Sequence, residues 1–460
     1  MTTVVPDNRR RTAIVNRKLE RLPATARPTG TWTPLERPLR TLARLAVASR
    51  FAVFSLALAS HRYIRDYDAS VDTLLGPDAD ADGKLLEPWL RPFASVYLRW
   101  DAFYFLHIAE EGYLFEQEHA FFPLLPLLMR WMAATVFSPL HYVLSHRMVL
   151  LLSGIVISNV AFILAACSLY RQVPHLSLAI FNDRRFAFLS GALFCLTPSA
   201  MFMSSIYTES IFALLSFTGM ELYAHGRLWP AAAVWSLSSL ARSNGIVYAG
   251  FFVYELLIRQ TRLIGAKHLL MRCLTAVMLS AMVIGGMACF QWYGYQQYCL
   301  GDTPRPWCQA RVPLLYSFVQ VEYWNCGFLR YFEWKQLPNF ALALPMLVLS
   351  AMGIVPDTVE ASTIVDGILP EAITNHLART QLYFSPNALP FIYLWALLLL
   401  YAFTSMHVQV ITRFFSSMHT HHVMYRQWTR SPLWPRILLM YFVGYGLCGV
   451  VLFSNFFPPA

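Results

Sequence analysis

Three short polar stretches interrupt an otherwise apolar chain, and each carries an ionisable side chain. Arg99-Trp100-Asp101-Ala102 sets a carboxylate beside an indole, and Glu110-Glu111-Gly112-Tyr113 follows shortly after it. Ser204-Ser205-Ile206-Tyr207-Thr208-Glu209-Ser210 lays another carboxylate between two apolar runs, and Arg242-Ser243-Asn244-Gly245 ends a third run. A carboxylate within reach of a hydroxyl can take its proton as a bond forms. A second carboxylate can accept hydrogen bonds or hold a partner arginine, and a guanidinium can hold phosphate through two parallel bonds.

Each signal also has a purely structural reading. The segment from Asp101 to Glu111 lacks Gly and Pro and reads as a helix stopped by Gly112. At 100° per residue, Phe105 and Ile108 lie near the Asp101 face, Glu111 lies about 80° away and Glu110 roughly opposite. Asp101 and Glu110 are therefore not a facing pair, which argues against a two-carboxylate hydrolase. Asp101 is either a single base at the helix start or merely its N-cap. Glu209 is either a ligand or a first-turn acid favoured by the helix dipole beneath a Ser205 cap. Arg242 is either a phosphate holder or a membrane-edge side chain reaching for water.

The elements that position these residues are built for lipid. The chain has 460 residues, 57% hydrophobic, 15% aromatic and 13% charged, against about 25% charged in soluble proteins. Apolar runs of near-spanning length occur at 41–60, 121–137, 147–170, 187–203, 207–224, 229–250, 273–293, 338–355, 388–411 and 437–453. They predict an all-α polytopic membrane protein with roughly 8–12 spans. Residues 1–50 hold eleven Lys/Arg against three Asp/Glu and so supply eight of the ten net positive charges. That excess is a basic tail over 1–40, cytosolic by the positive-inside rule, ahead of a membrane domain over 41–460. It is not a nucleic-acid groove, because no basic surface with interleaved aromatics follows it.

With a cytosolic N-terminus, the loop over about 61–120 faces the lumen, in keeping with Asp66, Asp68, Asp72, Asp78, Asp80, Asp82 and Glu87. Arg259, Arg262, Lys267 and Arg272 mark a cytosolic loop, which makes 294–337 luminal. The positive charges Arg413, Arg426, Arg430 and Arg436 suggest a cytosolic loop too, whereas counting crossings puts 412–436 in the lumen. The first apolar run is interrupted by Arg44 and Arg50 and reads as a retained span rather than a cleavable signal. Cys299 and Cys308 sit close together in a predicted luminal loop and are candidates for a disulfide. Cys167, Cys195, Cys273, Cys289 and Cys448 fall in or beside apolar runs, and His419, His421 and His422 read as a polar loop rather than a metal site.

Longer stretches resemble the GPI mannosyltransferase 2 family. They are Trp100-Asp101-Ala102 with Phe105-Leu106, Ile108-Ala109-Glu110 and Gly112-Tyr113; Ala120-Phe121-Phe122-Pro123; Glu209 with Phe212-Ala213-Leu214-Leu215; and Arg242-Ser243-Asn244-Gly245. Further on come Pro306-Trp307-Cys308, Tyr323-Trp324-Asn325, Lys335-Gln336 with Pro338-Asn339-Phe340, and Met406-His407-Val408-Gln409-Val410 with Thr412-Arg413-Phe414. The chain departs from the pattern at Tyr104, where a histidine is expected, at Leu124-Leu125 and at Thr208.

The resemblance implies a glycosyltransferase-C type fold with a luminal catalytic cavity in the endoplasmic reticulum membrane. It implies dolichyl-phosphate-mannose as donor and an α-1,6 bond to the first mannose of the glycosylphosphatidylinositol precursor, formed with inversion. Asp101 is then expected as the catalytic base, with Trp100, Glu110, Glu209, Arg242 and Asn244 binding substrate. No cofactor is expected, since a lipid phosphate donor does not itself require Mg²⁺ or Mn²⁺; an accessory membrane subunit is left open. The alternatives are another transferase using a dolichyl-phosphate sugar, or a transporter of lipid-linked sugar. A transporter would place ionisable residues in mid-span rather than at the ends of apolar runs.

Overall fold

The computed structural model describes residues 37–68, 70–75, 84–180, 184–259, 266–301, 303–354, 389–415 and 433–458. The basic tail, Asp78, Asp80, Asp82, Arg262, Arg426, Arg430 and the histidines at 419, 421 and 422 lie outside the described residues. Among the described residues there is no strand. The helices of eight residues or more are α1 Pro38–Tyr63, α2 Glu87–Ser95, α3 Ala102–Glu111, α4 Leu124–Ala134, α5 His146–Ile180, α6 Arg184–Cys195, α7 Glu209–Ala224, α8 Leu228–Ala241, α9 Ala266–Cys299, α10 Leu315–Glu322, α11 Leu337–Ile354, α12 Leu389–Ser405 and α13 Leu433–Ser454.

Among the described residues five stretches are long and apolar enough to cross a bilayer: Pro38–Tyr63, His146–Arg171, Ala266–Cys299, Trp334–Ile354 and Arg436–Ser454. Shorter apolar helices accompany them at Leu124–Ala134, Leu228–Ala241, Ser243–Ile258 and Leu389–Ser405. The chain is an all-α polytopic membrane protein. Several apolar runs are thus broken elements rather than full spans, and the breaks have local causes. The run over 121–137 becomes α-helical only after Pro123. The run over 229–250 breaks at Arg242, whose backbone is extended (φ −156°, ψ 145°), and resumes as a 3₁₀ turn over Ser243–Tyr248. Gly245 lets that turn fold back on α8, because a Cβ there would lie 2.5 Å from the Ser238 carbonyl carbon and the Ser239 nitrogen. Non-helical backbone at membrane depth is tolerated where protein or a wet cavity satisfies it.

Helix α5 packs along α7 and α6, and α8 packs against both α7 and α9, around one continuous core. Between apolar helices in lipid the gain is close packing and hydrogen bonding rather than dehydration. Trp235 illustrates both, stacked 4.9 Å from Tyr248 and donating its indole N–H to the Ser216 carbonyl at 3.4 Å. The buried Arg50 of α1 donates to the Ala200 carbonyl at 2.8 Å and Ser204 Oγ at 2.9 Å, and lies over the Phe162 ring at 3.7 Å. It ties the first helix to the polar segment that leads into Glu209.

Two further ties hold the loops around Asp101. Arg99, fully buried, donates to Asp66 at 2.9 Å and to the Ser454 carbonyl at 3.2 Å, which draws the end of α13 to the residue just before Trp100. Glu116 accepts from Arg305 at 2.7 and 3.1 Å, from the Trp307 indole at 2.8 Å and from the Tyr323 hydroxyl at 3.0 Å. Burial raises the Glu116 pKa, but these donors outweigh it and hold the carboxyl below its ordinary range. Gln297 adds a bond to the Tyr113 carbonyl at 2.7 Å. The loops near 116 and 305 therefore meet. Arg305 and Trp307 are presented by a short loop closed by the Cys299–Cys308 disulfide, with Cα atoms 5.6 Å apart.

Candidate active site

Helix α3 begins where the sequence predicts and ends at Gly112, whose φ of +91° suits a residue without a side chain. Asp101 occupies the N-cap position, yet its carboxylate makes no capping bond. It faces Arg413 instead, with Oδ2 3.5 Å from Nη1. The preceding Trp100 holds a left-handed backbone, φ 54°, which is costly for a bulky residue and turns the chain sharply into the helix.

Asp101 opens onto a cavity of about 500 Å³ whose wall includes Trp100, Arg242, Asn244, Trp324 and Arg413. The Asp101 side chain is 38% exposed and forms part of the cavity lining. Poor hydration raises its pKa above the usual carboxylate range, against the opposing pull of Arg413.

Beneath the cavity Glu209, 1% exposed, joins the two arginines. Its Oε1 accepts from Arg413 Nε at 2.7 Å and lies 2.8 Å from Arg242 Nη1. Removing either cation would leave a buried carboxylate undercompensated. Burial alone would lower the Arg413 pKa, but Glu209 and Asp101 raise it and keep the guanidinium protonated. Arg413 lies over the Phe202 ring at 4.4 Å, and Arg242 over the Phe414 ring at 5.1 Å. Aromatic faces and one shared carboxylate thus fix two planar cations against the cavity.

Trp100, Asp101, Arg242 and Asn244 all line the cavity. Glu209 lies under it as the arginine partner rather than a surface ligand. Its helix has Thr208 at the cap position without a capping bond, while Ser205 donates to the Tyr97 carbonyl, so the cap by Ser205 is not formed. Arg242 does not reach for water; it is held on Glu209. Glu110 is not brought to the cavity: it pairs with Arg147 at 2.9 Å, because nine residues of helix carry it round to the opposite face. The Asn244 side-chain oxygen is buried with no hydrogen-bond partner among the described residues, an acceptor for a hydroxyl.

Sequence reasoning missed Arg413. It stood in the stretch Thr412-Arg413-Phe414, but was grouped with distant arginines as a loop charge. The fold brings it beside Asp101. Among the described residues no three His, Cys, Asp or Glu side chains gather as metal ligands; the positive charges facing the cavity are guanidinium groups.

The family model described as Mannosyltransferase (PIG-V) matches residues 39–460. The human "GPI alpha-1,6-mannosyltransferase 2" is 31% identical over 414 residues, 84% of this chain and 82% of that protein. The Aspergillus oryzae "GPI mannosyltransferase 2" is 31% identical over 438 residues, 86% of this chain and 90% of that one. Among solved structures, an Archaeoglobus fulgidus oligosaccharyltransferase aligns with a TM-score of 0.41 at 12% identity, over 74% of this chain and 45% of that chain.

Proposed function

The chain belongs to the mannosyltransferase (PIG-V) family, and from that membership we propose that it adds the second mannose of the glycosylphosphatidylinositol anchor. The donor is dolichyl-phosphate-mannose and the acceptor is the monomannosyl anchor precursor. The product bond is α-1,6, formed in the lumen of the endoplasmic reticulum, and the fold is of the glycosyltransferase-C type. The observation that carries this reading is a cavity where an incompletely paired carboxylate, Asp101, faces two half-buried arginines.

The acceptor hydroxyl attacks C1 of the donor mannose as the bond from C1 to the phosphate oxygen breaks. The hydroxyl proton passes to Asp101, and the bonding pair leaves with dolichyl phosphate. Negative charge therefore disappears from Asp101 and grows on the phosphate in the same step. Arg242 and Arg413 stabilise that growing charge, and as preorganised cations in a poorly hydrated site they need little rearrangement to do so. Glu209 holds both guanidinium groups in place, and Asn244 offers its oxygen to a sugar hydroxyl. No residue need protonate a phosphate leaving group, so one carboxylate base suffices. The pairing of cations with phosphate gives the positive charge without a divalent metal.

The test is transfer of labelled mannose from dolichyl-phosphate-mannose to the monomannosyl precursor, in membranes of null cells expressing this chain. Formation of the dimannosyl product supports the reading. A well-expressed protein that transfers nothing, or extends a different acceptor, would overturn it.

A further inference from the structure

Three residues from stretches noted in the sequence, Trp324, Asn339 and His407, have no part in the base or the cations. They converge on one wall of the same cavity, which Trp324, Asn339, His407 and Gln409 all line. We infer that this wall is a second, uncharged subsite, in which Asn339 and Gln409 together take a pair of neighbouring hydroxyls on the acceptor mannose. This inference rests on the transfer reading above.

Hydrogen-bond accounting carries it. The Tyr331 hydroxyl has one proton and gives it to Gln409 Oε1 at 2.8 Å. It accepts in turn from Asn339 Nδ2 at 2.8 Å, whose other N–H goes to Gln336 Oε1 at 2.7 Å. The relay fixes which way both amides face. The Asn339 side-chain oxygen and the Gln409 side-chain nitrogen are left with no hydrogen bond among the described residues, one an acceptor and the other a donor. A vicinal diol can donate from one hydroxyl while the other accepts, so it satisfies both members of this pair.

The remaining contacts make the wall rigid. His407 donates through Nε2 to the Trp324 carbonyl at 2.8 Å and stacks on Tyr331 at 4.7 Å. Trp324 meets Phe121 edge-on at 6.1 Å, leaving an aromatic surface beside which the apolar C–H face of a pyranose can pack. Charge then divides the two sugars. The donor mannose is tied to a phosphate, which belongs with Arg242 and Arg413. The acceptor mannose is neutral, and the amide wall offers it hydrogen bonds without charge.

Gln409→Glu keeps an oxygen for Tyr331 but replaces the outward donor with an acceptor. Tyr331→Phe removes only the relay hydroxyl. Both are compared with wild type at matched abundance and melting temperature, through separate KM values for the two substrates. A second readout is binding of methyl α-D-mannopyranoside to purified protein in detergent, followed by ligand-detected NMR. Gln409→Glu is expected to raise the acceptor KM about tenfold or more, the loss expected of one well-placed hydrogen bond. The donor KM should stay within about twofold, the mannoside signal should be lost, and Tyr331→Phe should show a smaller change in the same direction. A rise in donor KM alone would assign the wall to the donor sugar, and no change in either KM would remove the subsite while leaving the transfer reading intact. Conversely, a wild type that transfers nothing yet binds the mannoside through Gln409 would sink the transfer reading and keep the sugar site.

Discussion

Arg413 Nη1 stands 3.5 Å from Asp101 Oδ2, longer than the 2.7–2.9 Å of a committed charge-assisted hydrogen bond. The shorter bond of that guanidinium, at 2.7 Å, goes to Glu209. Asp101 is therefore held near a cation without being consumed by it, so it stays able to accept a proton.

The first consequence concerns Asp101→Asn. The amide cannot take the hydroxyl proton, and kcat should fall by about 10² to 10⁴, the usual worth of a positioned base. Because the native carboxylate caps nothing, the melting temperature should not fall. A variant that melts early would identify Asp101 as a structural residue, and an active variant would remove it from the chemistry.

A second consequence is a pH signature. Asp101 has a raised pKa because burial outweighs the pull of Arg413. The acid limb of kcat/KM should then lie above about 4, the ordinary aspartate value, with activity lost as pH falls through the Asp101 pKa. For stability the sign is opposite to that of a salt-bridged acid. A carboxyl that binds its proton more tightly when folded costs stability once pH rises above that pKa. Asp101→Asn should thus melt at the same or a higher temperature at neutral pH, and its residual activity should lose the acid limb.

Much of this site could be read from the sequence, and the failures have physical causes. Asp101, Glu209, Arg242 and Asn244 stand in polar breaks of apolar runs, where a charge demands a partner, so they were legible without coordinates. Cys299 and Cys308, close together in a predicted luminal loop, were candidates for the disulfide they form. Arg413 was hidden because a positive charge beyond an apolar run has two meanings, a topology signal or a buried partner, and only three-dimensional proximity separates them. Arg242 interrupts what reads as one long span over 229–250, and the break is visible only once Gly245 is seen folded against Ser238. Asn339 and Gln409 stand in stretches that carry the family resemblance, but their amides have no charge and no periodicity, so nothing paired them until the relay through Tyr331 appeared.

Arg413→Lys tests the double attachment of the guanidinium. Nε reaches Glu209 while Nη1 approaches Asp101, and one ammonium cannot span both positions in that planar geometry. The variant keeps the charge that compensates buried Glu209, so it should fold, with a melting temperature lowered only modestly. Activity should drop at least tenfold, through kcat and donor KM, with the acceptor KM unaffected. Arg413→Met should be worse on both counts, because Glu209 then loses one of its two cations. Equal activity of Arg413→Lys and wild type would show that only net charge matters.

Glu116 offers a test of how the loops hold the cavity wall in place. Ala120, Phe121 and Phe122 line the cavity and follow Glu116 by a few residues, so the clasp onto Arg305, Trp307 and Tyr323 steadies them from outside. With its folded pKa below the ordinary value of about 4.3, Glu116 contributes stability that is fully present above the unfolded pKa. That contribution is lost as pH falls through the folded value. Glu116→Gln should therefore melt lower than wild type at neutral pH, with the two melting curves converging under acid conditions. Reduction of the Cys299–Cys308 bond should act in the same direction. Closing a loop of that size is worth about 2.5–3 kcal/mol in the chain-entropy account, and the loop carries two of the donors to Glu116. If the clasp steadies the wall, Glu116→Gln and Cys308→Ser should be less than additive in the double variant, because each releases the same Arg305 and Trp307 contacts. Full additivity would show that the disulfide and the carboxylate stabilise the loops independently.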